Sequence, residues 1–454
     1  MLVFQKDSPL SIRFAILFTL ISPVFLGSPA SLFGDSDAEA MDPPAVELLS
    51  GETSSGMLRT IDDSGRCLFR TSDETSLRGI SLDELVQWGH CVEPRQGPVI
   101  VCTNGDLIVA DVRSLDAEGI RFVFADSPSV AGAEASFEGD GLIRSLKEHA
   151  LPLERVAGVV FSWPTERASS DRLVDLIVGS QERNDVCRLR NGDQLEGTIR
   201  GYDARSGLQV ETDLGPITLA PSRLDAIVMT SLLRETPEPA NSHAVLGFSN
   251  GSRLTVDSIE FDAASSQSTP SRALVRLPGV GPSWELTDAD VCCVAVRNSR
   301  IAYLSDLTPT EFVHIPHMSM EWPYQNDRCV LGTRFRAGTV LHLKGVGVHS
   351  ASRLTYRLGP QDVRFEADVA LDDTASVLQD GTLQRGSVEF RVYVDGVERF
   401  NSGIVRGGDA PIPVKIELDE ASRLDLLVDY GERADVLDRA DWLDARIIRR
   451  EALE

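Results

Sequence analysis

The sequence predicts an all-β protein in which several small barrels of the SH3-like or Sm-like kind precede a larger antiparallel β-sandwich. Three observations carry this expectation. A unit of short apolar runs and tight turns recurs between about residues 45 and 297. Beyond it, apolar and polar residues alternate to about residue 450. Helical spacing of apolar residues is confined to one stretch, 164–185.

The chain opens with a targeting signal. Lys6 and Arg13 precede an apolar run from Phe14 to Gly27, and the small residues Ser28 and Ala30 stand where a signal peptidase cuts, so residues 1–30 read as a signal peptide. The run falls short of the roughly 20 residues that span a bilayer. An uncleaved anchor is the alternative, and Ala38 and Ala40 offer a second cleavage point. No later stretch reaches spanning length, so no membrane span is expected after signal removal, and the rest is expected to be extracytoplasmic: secreted, periplasmic or held in the cell envelope.

Each copy of the repeat begins with an apolar run, a tight turn and a second strand. Three turns carry Asn-Gly, at Asn104-Gly105, Asn191-Gly192 and Asn250-Gly251; the first copy has Ser50-Gly51. Asn-Gly between apolar runs signals a hairpin, and a type I′ turn, with both central residues at positive φ, is expected. Each copy also closes alike, as in Ile80-Ser81-Leu82 before Leu85-Val86, or Ile217-Thr218-Leu219 before Leu224 to Val228. Strands this short cannot bury a two-sided sheet, and the economical solution is a small barrel. Two barrels are assigned to 45–163 and two to 186–297, either as four separate barrels or as two pairs. Between them, Ser169 or Ser170 as N-cap and Leu173, Leu176 and Ile177 at helical spacing predict a short helical linker packed outside. Trp88, Trp163 and Trp284 fall in or just after closing strands, where a core or inter-barrel place is expected.

From 298 to 450 the alternating runs, among them Arg353 to Leu358, Val363 to Val369, Ser387 to Val394 and Leu424 to Val428, predict a sandwich, with a hairpin at Asp395-Gly396. Here the residues resemble a known family. Tyr303-Leu304-Ser305-Asp306-Leu307, Trp322 to Arg328, Lys344 to Ser350, Val369 to Asp373, Gly386 to Phe390 with Val394-Asp395-Gly396, and Asp441 to Ala445 match, in order and spacing, the NPCBM domain, a carbohydrate-binding module. The resemblance implies a galactose-binding-like jelly-roll sandwich, an extracytoplasmic location and glycan recognition by loops at one end; some relatives carry a structural calcium ion. Between Asp373 and Gly386 the chain departs from the family by an insertion, Thr374 to Arg385, beside the expected site.

A sugar presents a C–H face and a rim of hydroxyls, so its site needs an aromatic platform beside groups that hydrogen-bond in the plane. Trp322 and Tyr324 are candidates for the platform; Arg328, His349 and Asp441, with Asn326, for the polar contacts. Trp442 is either a ligand contact or a plug of the sandwich core. Asp372 and Asp373 are either ligands of a structural calcium or a turn cap.

Composition narrows the partners. With 69 acidic and 44 basic side chains, a net charge of −25, the chain repels polyanions, so nucleic acid is not an expected ligand; the carboxylates serve solubility and suit a hard cation. Seven cysteines (67, 91, 102, 187, 292, 293 and 329) show no zinc-ligand spacing, and those in apolar runs, Cys102, Cys187, Cys292 and Cys293, are expected as buried free thiols rather than a disulfide framework. No nucleophile elbow, His-Glu-x-x-His helix or phosphate loop occurs, and His314-Ile315-Pro316-His317 reads as a surface turn because Pro316 excludes a regular helix. The expectation is a non-catalytic glycan-binding protein whose barrels meet other envelope proteins. The alternatives are an interaction scaffold without sugar binding and an accessory part of a glycoside hydrolase system.

Overall fold

Four chain reversals of one geometry set the architecture of residues 45–297. In each, a glycine amide bonds the carbonyl three residues back, Gly51 to Leu48, Gly105 to Cys102, Gly192 to Leu189 and Gly251 to Phe248, at 2.8–3.0 Å. Each glycine has φ between 85° and 89°, whereas the residue before it stays out of the left-handed region. These are therefore type I turns closed by a glycine bulge, not the expected type I′ turns. The cause is local: the Asn side chain accepts the amide two residues on (Asp106, Asp193 and Ser252, at 2.8–3.2 Å), so only the glycine has to be left-handed.

The structure, a computed structural model, describes residues 43–451 apart from 72–76, 96, 126–146, 266–270, 288–289 and 318–319. The expected signal peptide, 1–30, lies outside the described residues. Among the described residues no helix is long and apolar enough to cross a membrane.

Each turn opens a five-stranded antiparallel unit whose last strand returns to pair with its first: Leu85–Gly89 with Ala45–Leu48, Val156–Val160 with Val99–Cys102, Leu224–Val228 with Asp185–Leu189, and Val291–Arg297 with His243–Phe248. The long second strand bends at a bulge in three units, as between Leu58 and Thr60, and in the fourth it breaks into Arg253–Val256 and Ser258–Asp262. Bulges add local twist and curl each small sheet toward a barrel. The units then associate through their closing strands, the second with the third and the first with the fourth. Val156–Val160 of the second pairs with Leu224–Val228 of the third, and Leu85–Gly89 of the first with Val291–Arg297 of the fourth. One apolar core runs through all four, from Val46 to Val296. Trp284 of the fourth unit meets Phe122 and His149 of the second at ring-centroid distances of 5.7 and 5.3 Å, an inter-unit role.

The helix between the second and third units spans Arg167–Gly179, and its N-cap is Glu166 rather than Ser169 or Ser170. Ser169 Oγ instead donates to the Glu166 carboxylate, and Ser170 Oγ to the Arg167 carbonyl. Val174 and Ile177 pack on Val99, Val101 and Val160, while Leu176, expected inward, is exposed.

The C-terminal third is a sandwich. One sheet orders Gln325–Asn326, Gly345–His349, Arg439–Arg449, Asp362–Leu371 and Ile412–Glu417, with Ile301–Tyr303 also on Arg439–Arg449. The other orders Glu311–His314, Ser352–Arg357, Arg423–Tyr430, Ser387–Val394 and Val397–Arg406. Period-two alternation sends Val346, Phe365, Phe390, Leu426 and Trp442 between them. Asp395 and Gly396 form the hairpin expected there, and with both at positive φ the turn is type I′. The insertion folds into its own hairpin, Ser376–Gln379 with Thr382–Arg385, and exposes Leu378.

The sandwich does not hang on a flexible linker. Only residues 298–300 separate the array's last strand from Ile301–Tyr303, and Leu49 and Val86 of the first unit share a buried cluster with Ile301, Tyr303 and Ile448. Arg446 Nη2 reaches Glu47 at 2.6 Å and Glu366 at 2.9 Å. Arg364 donates to the Leu49 carbonyl, and Arg336 forks onto Asp171 of the helix. The outer face of the six-stranded sheet is thus a second buried interface.

Candidate functional site

At one end of the sandwich, strand ends bring together His314, closing Glu311–His314; His349, closing Gly345–His349; and Tyr430, closing Arg423–Tyr430. The chain then brings Trp322 back onto them. The indole lies flat on His349, with ring centroids 4.9 Å apart and planes 8° apart, and remains half-buried. His314 stands edge-on to His349 at 6.3 Å. It also holds Trp322 in place: Nδ1 accepts the Trp322 amide at 3.3 Å, and Nε2–H donates to the Ser350 carbonyl at 3.2 Å. Burial holds His349 below the ordinary imidazole range, against a hydrogen bond from Nδ1 to the Ser350 carbonyl, so a neutral ring backs the indole.

Beneath the tip, Asp438 ties three loops together. It accepts Ser350 Oγ at 2.6 Å and the Ser387 amide at 2.9 Å; burial raises its carboxyl to about 6 despite these bonds. Tyr430 OH donates to the Ile315 carbonyl, and its ring lies 6.1 Å from His317. A stiff, partly exposed indole backed by an imidazole can stack on a sugar's C–H face.

The structure divides the residues singled out from the sequence. Trp322 and His349 come together at the tip, His349 as buried support. Tyr324 is half-buried against Phe312, ring centroids 5.1 Å apart, and packs on the sandwich core. Asn326 is exposed on its short strand. Arg328 is corrected: its guanidinium pairs with Asp175 of the helix, because the chain after Asn326 crosses the outer face of the sheet. Of the two places open to Trp442, the structure has it in the core and not at the ligand site, 0% exposed, with its ring edge-on to Phe390 at 5.1 Å. Asp441 is corrected as well. It is equally buried, points to the covered outer face, and burial with Asp372 and Asp373 nearby drives its carboxyl well above the ordinary range.

Asp372 and Asp373 both cap turns in this structure. Asp372 caps a 3-10 turn, taking the Thr374 amide and hydroxyl and the Arg336 amide; Asp373 takes the amides of Gly338 and Thr339. Their oxygens serve turns, and among the described residues no group of three or more His, Cys, Asp or Glu side chains forms a metal cluster. Sequence reasoning missed His314, Asp438 and Tyr430. The His314–His317 pair was visible, but nothing local reveals that His314 reaches Ser350.

Residues 300–448 match the NPCBM/NEW2 domain family. A protein of Renibacterium salmoninarum named "Putative endo-alpha-N-acetylgalactosaminidase" is 28% identical over 117 residues, 26% of this chain and 7% of that protein, so the chain spans a small fraction of this relative's length. Among solved structures, the CBM51 module of a Clostridium perfringens GH95 protein, in complex with methyl-galactose, is 24% identical and covers 32% of this chain and 99% of its own, with a TM-score of 0.29. The CBM51-2 and INT domains of Clostridium perfringens ZmpB are 21% identical over 42% of this chain and 40% of that one, with a TM-score of 0.30. The tandem CBM51 modules of a Streptococcus pneumoniae family 98 glycoside hydrolase are 13% identical over 78% of this chain and 88% of that one, with a TM-score of 0.29.

Proposed function

We propose that this is an extracytoplasmic, non-catalytic protein that binds carbohydrate through its C-terminal module, with Trp322 as the stacking platform and the barrel array as a rigid mount that meets other envelope proteins. The observation that carries the reading is the Trp322 ring held flat on His349 at a loop-bearing end of a sandwich matched by the NPCBM/NEW2 family. Immobilising an aromatic ring before the ligand arrives lowers the ordering cost of binding. The buried Asp441 and Trp442 belong to the scaffold of the site, and the exposed insertion hairpin stands near enough in sequence to the tip loops to shape the ligand class.

The test uses the full chain on a glycan array and in affinity electrophoresis, beside Trp322→Ala. The expected result is retention by at least one polysaccharide, weakened about tenfold or more by the substitution with an unchanged melting temperature; about 1.4 kcal/mol corresponds to each factor of ten. Retention by none, or retention indifferent to Trp322, favours the scaffold reading. Release of reducing sugar by the full chain would instead make it part of a glycoside hydrolase system.

A further inference from the structure

The array closes on itself where Leu85–Gly89 pairs with Val291–Arg297, with Gly89 opposite Cys293. Two residues past Gly89, Cys91 turns back against that same strand. Cys91 and Cys293 are both buried and share a small apolar cluster with Ala295 and with Leu341 of the sandwich. Gly247, the partner of Cys293 on the other side, fixes how close they are. A Cβ at Gly247 would lie 2.8 Å from Cys91 Sγ, 3.4 Å from Cys91 Cα and 2.9 Å from Cys293 Cβ, so both cysteines border the same methyl-sized space. The interaction between the two neighbouring thiols lowers Cys91 and raises Cys293. Both sulfurs are in the thiol form in this structure.

We propose that Cys91 and Cys293 form a cross-linking site, a disulfide that joins the first five-stranded unit to the fourth across the seam that completes the array. A disulfide needs Cβ atoms about 3.5–4.5 Å apart, a spacing that two side chains around one vacant Cβ position satisfy with small movement. The oxidant is a disulfide, either a small molecule or a thiol–disulfide oxidoreductase. The Cys91 thiolate attacks one oxidant sulfur, forming a mixed disulfide and expelling the first oxidant thiolate; the Cys293 thiolate then displaces the second and forms the Sγ–Sγ bond. The two protons lost by the cysteines end on the two thiols released, and the oxidant is reduced as the pair is oxidised. Because both sulfurs are sealed in the folded chain, the bond forms during folding. Cys292, half-exposed, lies at the register shift between Gly247 and Phe248 and is the competing partner.

The test does not depend on sugar binding. The full chain is refolded from the reduced, unfolded state with glutathione disulfide, alkylated under denaturing conditions and mapped without reduction. The expected map contains one peptide pair linked from Cys91 to Cys293, and the linked protein melts above the reduced protein. Cys293→Ser should return Cys91 to the alkylated pool and melt like the reduced wild type; Cys91→Ala gives the same comparison if Cys293→Ser does not fold. Alkylation of both cysteines after oxidative refolding, or a link from Cys91 to Cys292, overturns the assignment.

Discussion

Arg336 is the most exacting test of how the sandwich is mounted. Its guanidinium gives Asp171 two bonds, at 2.7 and 3.2 Å, and a third to Glu93; the side chains of Arg336 and Asp171 are each 6% exposed. Arg336→Met keeps the aliphatic stem and removes the charge. Taking one partner from a buried pair costs about 3–5 kcal/mol, because the other is left uncompensated. Asp171 would keep the Arg334 amide at 3.0 Å and the Arg334 guanidinium at 3.8 Å, which places the loss near the lower end, about 3 kcal/mol. Urea unfolding measures it. Arg336→Met/Asp171→Leu should recover part of the loss, since neither of the two remains buried and charged, although Arg334 then loses Asp171 and Glu93 loses Arg336. Burial pushes the Asp171 carboxyl up, but Arg336 and Arg334 together hold it below the ordinary range. The pair's contribution is therefore full above the unfolded Asp value of about 3.9 and is lost as pH falls through the lower folded value, so the gap between wild type and Arg336→Met should narrow in acid. A single variant within about 1 kcal/mol of wild type at pH 7 would refute the reasoning.

Trp442→Ala should cost about 3–5 kcal/mol in urea unfolding, as truncation of a buried aromatic does, whereas a surface ligand contact would cost far less. Asp441 has a folded value raised above its unfolded one, so folding is penalised as pH rises from about 4 toward the folded value. Asp441→Asn, which cannot ionise, should lift the melting temperature at pH 7 and flatten its decline between pH 4 and 7; an unchanged slope would contradict this. Gly105 and Gly251 have nearly the same φ, 85° and 88°, but a Cβ at Gly105 meets open space and one at Gly251 would lie 2.3 Å from the Pro94 backbone. Gly105→Ala should cost about 1–2 kcal/mol by conformation alone and Gly251→Ala distinctly more; equal losses in thermal unfolding would exclude the contact with Pro94 as the cause.

The features legible in the sequence were those written in short-range chemistry. Gly51, Gly105, Gly192 and Gly251 mark the four turns, and alternation marks the sandwich strands. Two kinds of feature were not legible. The association of the first unit with the fourth depends on which closing strand finds which, and Leu85-Val86 and Val291 to Val296 are as apolar as the runs that pair elsewhere. The second kind concerns parity. Alternation assigns Trp442 and Asp441 to opposite faces, one inward and one toward solvent, yet the outer face is covered by the hairpin around Phe335 and by the array. A strand buried on both sides gives an acidic residue no route to water, and Arg328 was similarly drawn away by an aspartate 153 positions earlier in the chain.

The seam between the first and fourth units also bears on how the molecule comes into being. During synthesis from the N-terminus, Leu85–Gly89 emerges early and waits, one edge unsatisfied, until Val291–Arg297 follows the two intervening units. Non-local pairing of this kind is slow, and an open strand edge invites association with other chains in the meantime. Newly made molecules would be most vulnerable in that interval, and truncation before Val291 should yield an aggregating fragment rather than a smaller soluble array.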